Sequence, residues 1–143
     1  MFRKREQKAK EKLAALTVKS LKIDDEFDTI SGSSTVAEAA KKMADKKIPD
    51  LCVVDSQNHV LGTVSTFDIV AKVVAQKEPD STQITKIMVK LSPVSLDTRV
   101  LDAFETMKKD QVEVLPVADA EGKLLGVVTI TDVFAAMEFF SSA

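Results

Sequence analysis

The sequence predicts a mixed α/β (α+β) fold, in which two β-α-β-β-α repeats pack as one pseudo-two-fold module behind an N-terminal helix. Three observations carry this. A seven-residue pattern occurs twice, as GTVSTFD at 62–68 and GVVTITD at 126–132. Set against itself at an offset of 64, the chain matches without a gap over Ile30–Val73 and Val94–Met137. Twelve of those 44 positions are identical, where average composition gives about three. Finally, helical and strand-like hydrophobic periods alternate in the same order in both copies.

Each element follows from its residues. VAEAAKKMADKK (36–47) places Val36, Ala39, Ala40 and Met43 on one helical face with lysines opposite. LCVVD (51–55) is a short apolar run, hence a buried strand. SQNH turns the chain into a second strand, VLGTVS (60–65), and DIVAKVVAQ continues as a helix with an Ile69, Val70, Val73, Val74 stripe. In the second copy VLDAFETMKKD, VLPVAD, AEGK, LLGVVT and DVFAAMEFF repeat these parts, ending on a Phe134, Met137, Phe139, Phe140 stripe. TVKSL (17–21) and QITKIM (83–88) read as matching lead-in segments, and the polar QKEPDSTQ (76–83) separates the copies. The expected organisation is a basic helical arm at 1–16, a first repeat at 17–78 and a second at 79–143. A copy of about 60 residues has a marginal core on its own. Two copies can bury their sheet faces against each other and leave a cleft, seen twice by symmetry.

Composition narrows the function. The chain has 143 residues, 45% hydrophobic and 29% charged, as expected of a soluble globular protein. No apolar run approaches the ~18–20 residues of a membrane span, and the basic start lacks the apolar stretch of a secretory signal. A single cysteine, Cys52, fits a reducing cytoplasm, so a cytoplasmic location is expected. Cys52 reads as a small core residue and the lone His59 as an exposed hairpin-tip residue; together they make no metal cluster or histidine-centred triad. Residues 1–20 carry a net +5 and the remainder −7. This basic arm suits either a solvated helix covering a domain edge, with Leu13 and Leu16 inward, or a polyanionic partner such as nucleic acid.

The seven-residue pattern has two readings. Ser65 with Asp68, and Thr129 with Asp132, have the spacing of a shortened capping box, and Gly62 and Gly126 could serve close sheet packing. The same geometry suits a ligand. A helix N-terminus offers free amides to an anion, an aspartate one turn on can accept from two ribose hydroxyls, and glycine leaves room for a flat base. Nothing in the pattern supplies an activated nucleophile or a base beside one, so no enzyme is expected.

With G-h-h-[ST]-x-x-D twice, h-x-x-L-[P]-V-h-D before each, and a [ST]-V-x-E/D-A helix start, the chain resembles a tandem pair of CBS (cystathionine β-synthase) domains, a Bateman module, over about 17–140. The resemblance implies an antiparallel homodimer that binds an adenosyl ligand (AMP, ADP, ATP or S-adenosylmethionine) between repeats and regulates another protein. By position, it implies that Thr129, Asp132 and Gly126 serve one cleft with Thr29, Ile48 and Pro49. Ser65, Asp68 and Gly62 would serve the other with Pro93, Val112 and Glu113. Pro93 brings neither hydroxyl nor N–H, so the clefts should be unequal. Polyphosphate-holding members often carry a basic residue where this chain has Pro49-Asp50 and Glu113-Val114. Those carboxylates repel a phosphate path unless Mg²⁺ or a lysine (Lys46, Lys47, Lys108 or Lys109) intervenes. They suit a sulfonium. An adenine nucleotide is the first expectation, S-adenosylmethionine the second. A nucleic-acid-associated regulator and a purely structural dimer complete the alternatives; the apolar helix stripes are expected at the dimer interface.

Overall fold

The computed structural model describes residues 2–24 and 27–141, with the side chains of Phe2, Phe140 and Ser141 outside the described set. Helix α1 (Phe2–Ala15) lies across the helices of the second repeat, with Ala9 buried and Leu16 against that repeat's core. Leu13 is half-buried, and the basic side chains from Arg3 to Lys12 are exposed.

In the first repeat β1 (Thr29–Ser31) leads to α2 (Val36–Lys46), β2 (Asp50–Val54), β3 (Val60–Ser65) and α3 (Thr66–Ile69). A capping box starts α2: Thr35 Oγ1 accepts from the Glu38 amide at 3.2 Å, and the Glu38 carboxylate accepts from the Thr35 amide. Lys47, in the left-handed region at φ 56°, ends it. The expected single helix after β3 is interrupted, because α3 runs into a π-helical turn at Val70–Val74. In the second repeat β4 (Val89–Lys90) precedes α4 (Val100–Asp110), β5 (Val114–Ala118), β6 (Leu124–Thr129) and α5 (Ile130–Ser141). Arg99 stands where Thr35 caps the first copy and supplies no side-chain cap; it pairs with Asp102 instead.

Strand β1 runs parallel to β2, while β2–β3 and β3–β4 are antiparallel. The second sheet keeps β5 antiparallel to β6, but its counterpart of β1 shrinks to one bridge, Val94 to Val117. The cause is chemical. In the first repeat the Cys52 amide donates to the Asp28 carbonyl; at the place equivalent to Cys52, Pro116 has no N–H to give.

Strand β4 belongs to the second repeat in sequence and to the first in space. The lead-ins are exchanged: Ile84 and Ile87 lie in the core with Val36, Met43, Leu51 and Val64, while Val18 lies in the core with Val100, Met107, Leu115 and Val128. Short 3₁₀ turns at Val18–Ser20 and Ile84–Lys86 carry these anchors. Beyond the turns, Val89 lies against Gly62, and the Ile23 carbonyl accepts from the Val127 amide at 2.8 Å beside Gly126. The hairpin tips join the repeats as well. His59 bridges to Lys123, the Val60 amide donates to the Gly122 carbonyl, and the Leu124 amide donates to the Asn58 carbonyl. His59 is therefore half-buried on the pseudo-two-fold axis, with its ring 3.2 Å from Asp55, rather than free at a turn.

The apolar helix stripes divide. Val73 and Val133 are core, and Ile69 and Met137 pack against the core. Phe67, Val70, Val74, Phe134 and Phe139 are exposed. Among the described residues no helix is long and apolar enough to cross a membrane.

A Cβ added at Gly62 or Gly126 would enter the backbone carbonyl of Val89 or Ile23. Backbone held in a strand pair cannot step aside as a side chain can. Gly126→Ala is therefore expected to cost about 1–3 kcal/mol and to weaken the docking of α1 with the lead-in. Chemical denaturation with exchange at the Val127 amide measures both; an unchanged midpoint would contradict the exchanged packing.

Candidate functional site

Strand β6 ends at Thr129 and α5 begins at the next residue. The Thr129 amide donates to Asp132 Oδ2 at 3.1 Å, and Thr129 Oγ1 accepts from the Asp132 amide at 3.1 Å. This is a capping box with aspartate in the glutamate position. Ser65 and Asp68 build the same box at α3: Asp68 Oδ2 accepts from the Ser65 amide and hydroxyl at 2.9 and 3.0 Å, and Ser65 Oγ accepts from the Asp68 amide. Both sequence readings thus share one geometry, and capping is present twice.

The second carboxylate oxygen separates the copies. Asp68 Oδ1 lies 3.1 Å from Lys72 Nζ, which also donates to the Ile87 carbonyl at 2.9 Å. Asp68 is buried and its acceptor capacity is spent internally. In the second copy Lys72 is replaced by Ala136. Among the described residues Asp132 Oδ1 has no hydrogen-bond or ion-pair partner. Sequence reasoning missed Lys72, although the repeat alignment sets it opposite an alanine.

Asp132 faces a cleft of about 720 Å³. Of the expected site residues, the structure gathers Ile48, Pro49, Glu113, Thr129 and Asp132 there, with Ile130, Thr131, Phe27 and Val127. Thr29 is not in the lining, although Phe27 and Asp28 just before it are; its carbonyl accepts from Lys42. Gly126 packs on Ile23, and Gly62 on Val89, so both glycines face backbone rather than the cleft. Ser65, Asp68, Pro93 and Val112 lie outside this cleft. Glu113, expected opposite Ser65, is here because its carbonyl accepts from the Ile130 amide at 2.8 Å, which pins it to the start of α5. Pro49 does the same for Thr66 at 2.9 Å.

Four carboxylates (Asp28, Asp50, Glu113 and Asp132) and two lysines (Lys46 and Lys47) line the cleft. Burial works to raise the pKa of Asp28, but Lys46, the Thr29 amide and Lys42 outweigh it and hold the group below its usual range. Lys46 is therefore committed. Lys108 pairs with Glu105 over the Phe104 ring, outside the cleft. Cys52 lines the cleft floor, and burial first, then Asp50, pushes its thiol up to about 12, so it stays protonated.

Asp50 is half-buried and has no cationic partner among the described residues. Burial, then the charges of Glu113 and Asp68, push its carboxyl up to about 6, against ~3.9 in an unfolded chain. A raised folded value means that the folded state holds the proton more tightly. This contribution to stability is full below about pH 4 and lost as pH rises through about 6. Asp50→Asn is expected to raise Tm by a few degrees at pH 7.5, with the gain fading toward pH 4. A gain equal at both pH values, or a loss at pH 7.5, would count against this account.

A family model for the CBS domain matches residues 18–75 and 84–138. Among solved structures, a CBS-domain protein of Burkholderia ambifaria is 31% identical, with a TM-score of 0.68 over 78% of this chain and 82% of its own. The CBS domain pair of protein MJ0100, solved with 5′-methylthioadenosine and S-adenosyl-L-methionine, is 25% identical with a TM-score of 0.74 over 87% and 98%. CBSX2, solved with AMP, is 26% identical with a TM-score of 0.71 over 87% and 98%. A 17.7 kDa protein of Acidianus ambivalens is 39% identical over 72% of this chain and 62% of its own length. A homoserine O-acetyltransferase of Methanohalobium evestigatum is 32% identical over 86% of this chain but only 24% of the enzyme. The chain thus spans less than two thirds of the curated relatives it matches. With two matched repeats, exchanged lead-ins and paired sheets, it belongs to the CBS-domain family as a tandem CBS regulatory pair.

Proposed function

We propose that the chain is a non-catalytic sensor that binds one adenosyl ligand in the Asp132 cleft and passes its occupancy to a partner. The observation that carries this is Asp132 Oδ1, which has no partner among the described residues and lies beside the amide end of a twelve-residue helix, where the equivalent Asp68 oxygen is taken by Lys72. A vicinal diol can donate to that oxygen, while the exposed Thr131 and the apolar Ile48, Val127 and Ile130 offer a hydroxyl and a base platform. AMP or ADP is the ligand first expected. The acidic lining favours a second reading, an adenosine with a sulfonium or thioether at the 5′ position. Any Mg²⁺ would depend on the ligand's own phosphate oxygens, because the described residues hold no group of three carboxylate, histidine or cysteine side chains able to ligate a metal. The activity of the acetyltransferase relatives is not carried over, since this chain matches only a quarter of their length.

Transmission has a physical route. Lys47, Ile48 and Pro49 line the cleft on one side and, on the other, an apolar groove of about 450 Å³ walled by Ala40, Met43, Ile69 and Val70. A ligand that reseats this segment changes the groove. In the second repeat the equivalent of Ala40 is Phe104, whose ring meets Phe134 edge-on at 5.9 Å. Exposed Phe67, Val70, Val74, Phe134 and Phe139 form an apolar surface suited to a homodimer.

Two measurements test the proposal. Losing a charged acceptor for ribose costs ~1.5–3 kcal/mol, so Asp132→Ala should weaken AMP or S-adenosylmethionine binding by roughly tenfold to a hundredfold in calorimetry. Asp68→Ala should cost ~0.5–2 kcal/mol of stability through its cap and leave affinity in place. Loss of binding in Asp68→Ala alone would reverse the assignment of the clefts. For the dimer, sedimentation at micromolar concentration should show a species of twice 15.6 kDa, and Phe134→Asp should dissociate it. A monomer in the unaltered protein would contradict the interface.

A further inference from the structure

The charged groups around the start of α5 are arranged against an anion, although a helix N-terminus by itself favours one. Glu113 stands beside that terminus, tied through its carbonyl to the Ile130 amide. Asp50 opens β2, opposite Ser65 on β3, and feels both Glu113 and Asp68. Of the other charges on neighbouring elements, Asp68 is ion-paired with Lys72, Lys46 is committed to Asp28, and Asp132 belongs to α5 itself. Lys47 is the remaining cation in the lining and makes no ion pair among the described residues. Asp50 and Glu113 are thus two carboxylates in one cavity, and neither has a cationic partner among the described residues.

Resting on the adenosyl reading, we propose that Asp50 and Glu113 form a proton-gated charge filter on the ligand's 5′ substituent. With both ionised, the cleft prefers a neutral or cationic 5′ group. A phosphate-bearing adenosine enters when solvent supplies one proton to the pair, and Asp50 takes it. Burial and the two neighbouring carboxylates set that proton's midpoint near pH 6. One unit charge at ~6 Å changes affinity by roughly threefold in a water-like dielectric and by roughly a hundredfold in a protein-like one. An effect of about tenfold is therefore expected.

The test uses calorimetry on the full chain from pH 5 to 8 with two probes. One is 5′-methylthioadenosine, which is uncharged at its 5′ end. The other is the methyl ester of AMP, a phosphodiester whose single charge does not titrate in this range. The ratio of their affinities cancels any pH effect elsewhere in the fold. The diester should tighten about tenfold relative to the thioether from pH 8 to pH 5, with proton uptake seen as a buffer-dependent heat. In Asp50→Asn this slope should flatten at the acid-side ratio, and in the exposed Glu113→Gln its midpoint should fall. A diester that binds with no pH slope, or a slope retained in Asp50→Asn, overturns the filter and leaves the adenosyl reading standing. Failure of both probes to bind at any pH removes that reading and the filter with it.

Discussion

Each repeat lacks one layer of its own core, and the missing layer arrives from the other repeat's lead-in. Ile84 and Ile87 close the first core and Val18 closes the second. The exchange works because Gly62 and Gly126 let a foreign backbone approach where any Cβ would collide. Neither half can then close its core without the other. The hairpin tips, stitched at His59 and Lys123, complete the pairing on the axis between the repeats. This arrangement holds Pro49 at the first turn of α3 and Glu113 at the first turn of α5, and those contacts set the walls of the cleft.

Within that near-symmetry, a few substitutions make the halves chemically different. Pro116 leaves the first strand of the second sheet as a single bridge at Val94. Lys72, opposite Ala136, spends the first aspartate on an internal ion pair at the π-helical turn. Irregular turns of this kind recur at functional positions. Ala40, opposite Phe104, leaves a groove on one repeat that an aromatic ring covers on the other. Duplication supplied two equivalent places, and local substitutions left one aspartate with an oxygen that has no partner among the described residues.

Much of this was legible in the chain because it depends on local pattern. The 64-residue offset and the Val36–Ala39–Met43 face both repeat. So do the capping pairs Ser65–Asp68 and Thr129–Asp132. From Pro93 the sequence predicts unequal clefts. The structure adds a second reason in Lys72, whose reach to Asp68 follows from i,i+4 spacing.

What the sequence by itself determined is the set of elements, their order and the twofold plan, because period, cap and turn chemistry act over a few residues. Tertiary structure alone decided which repeat each lead-in completes, since an apolar residue such as Val18 or Ile84 carries no local mark of the core it will enter. It also decided that the two glycines face backbone and that Glu113 and Asp50 share one cavity. These facts depend on distances between segments some 60 residues apart. No local period encodes such a distance, and the electrostatics of the cleft depend on it directly.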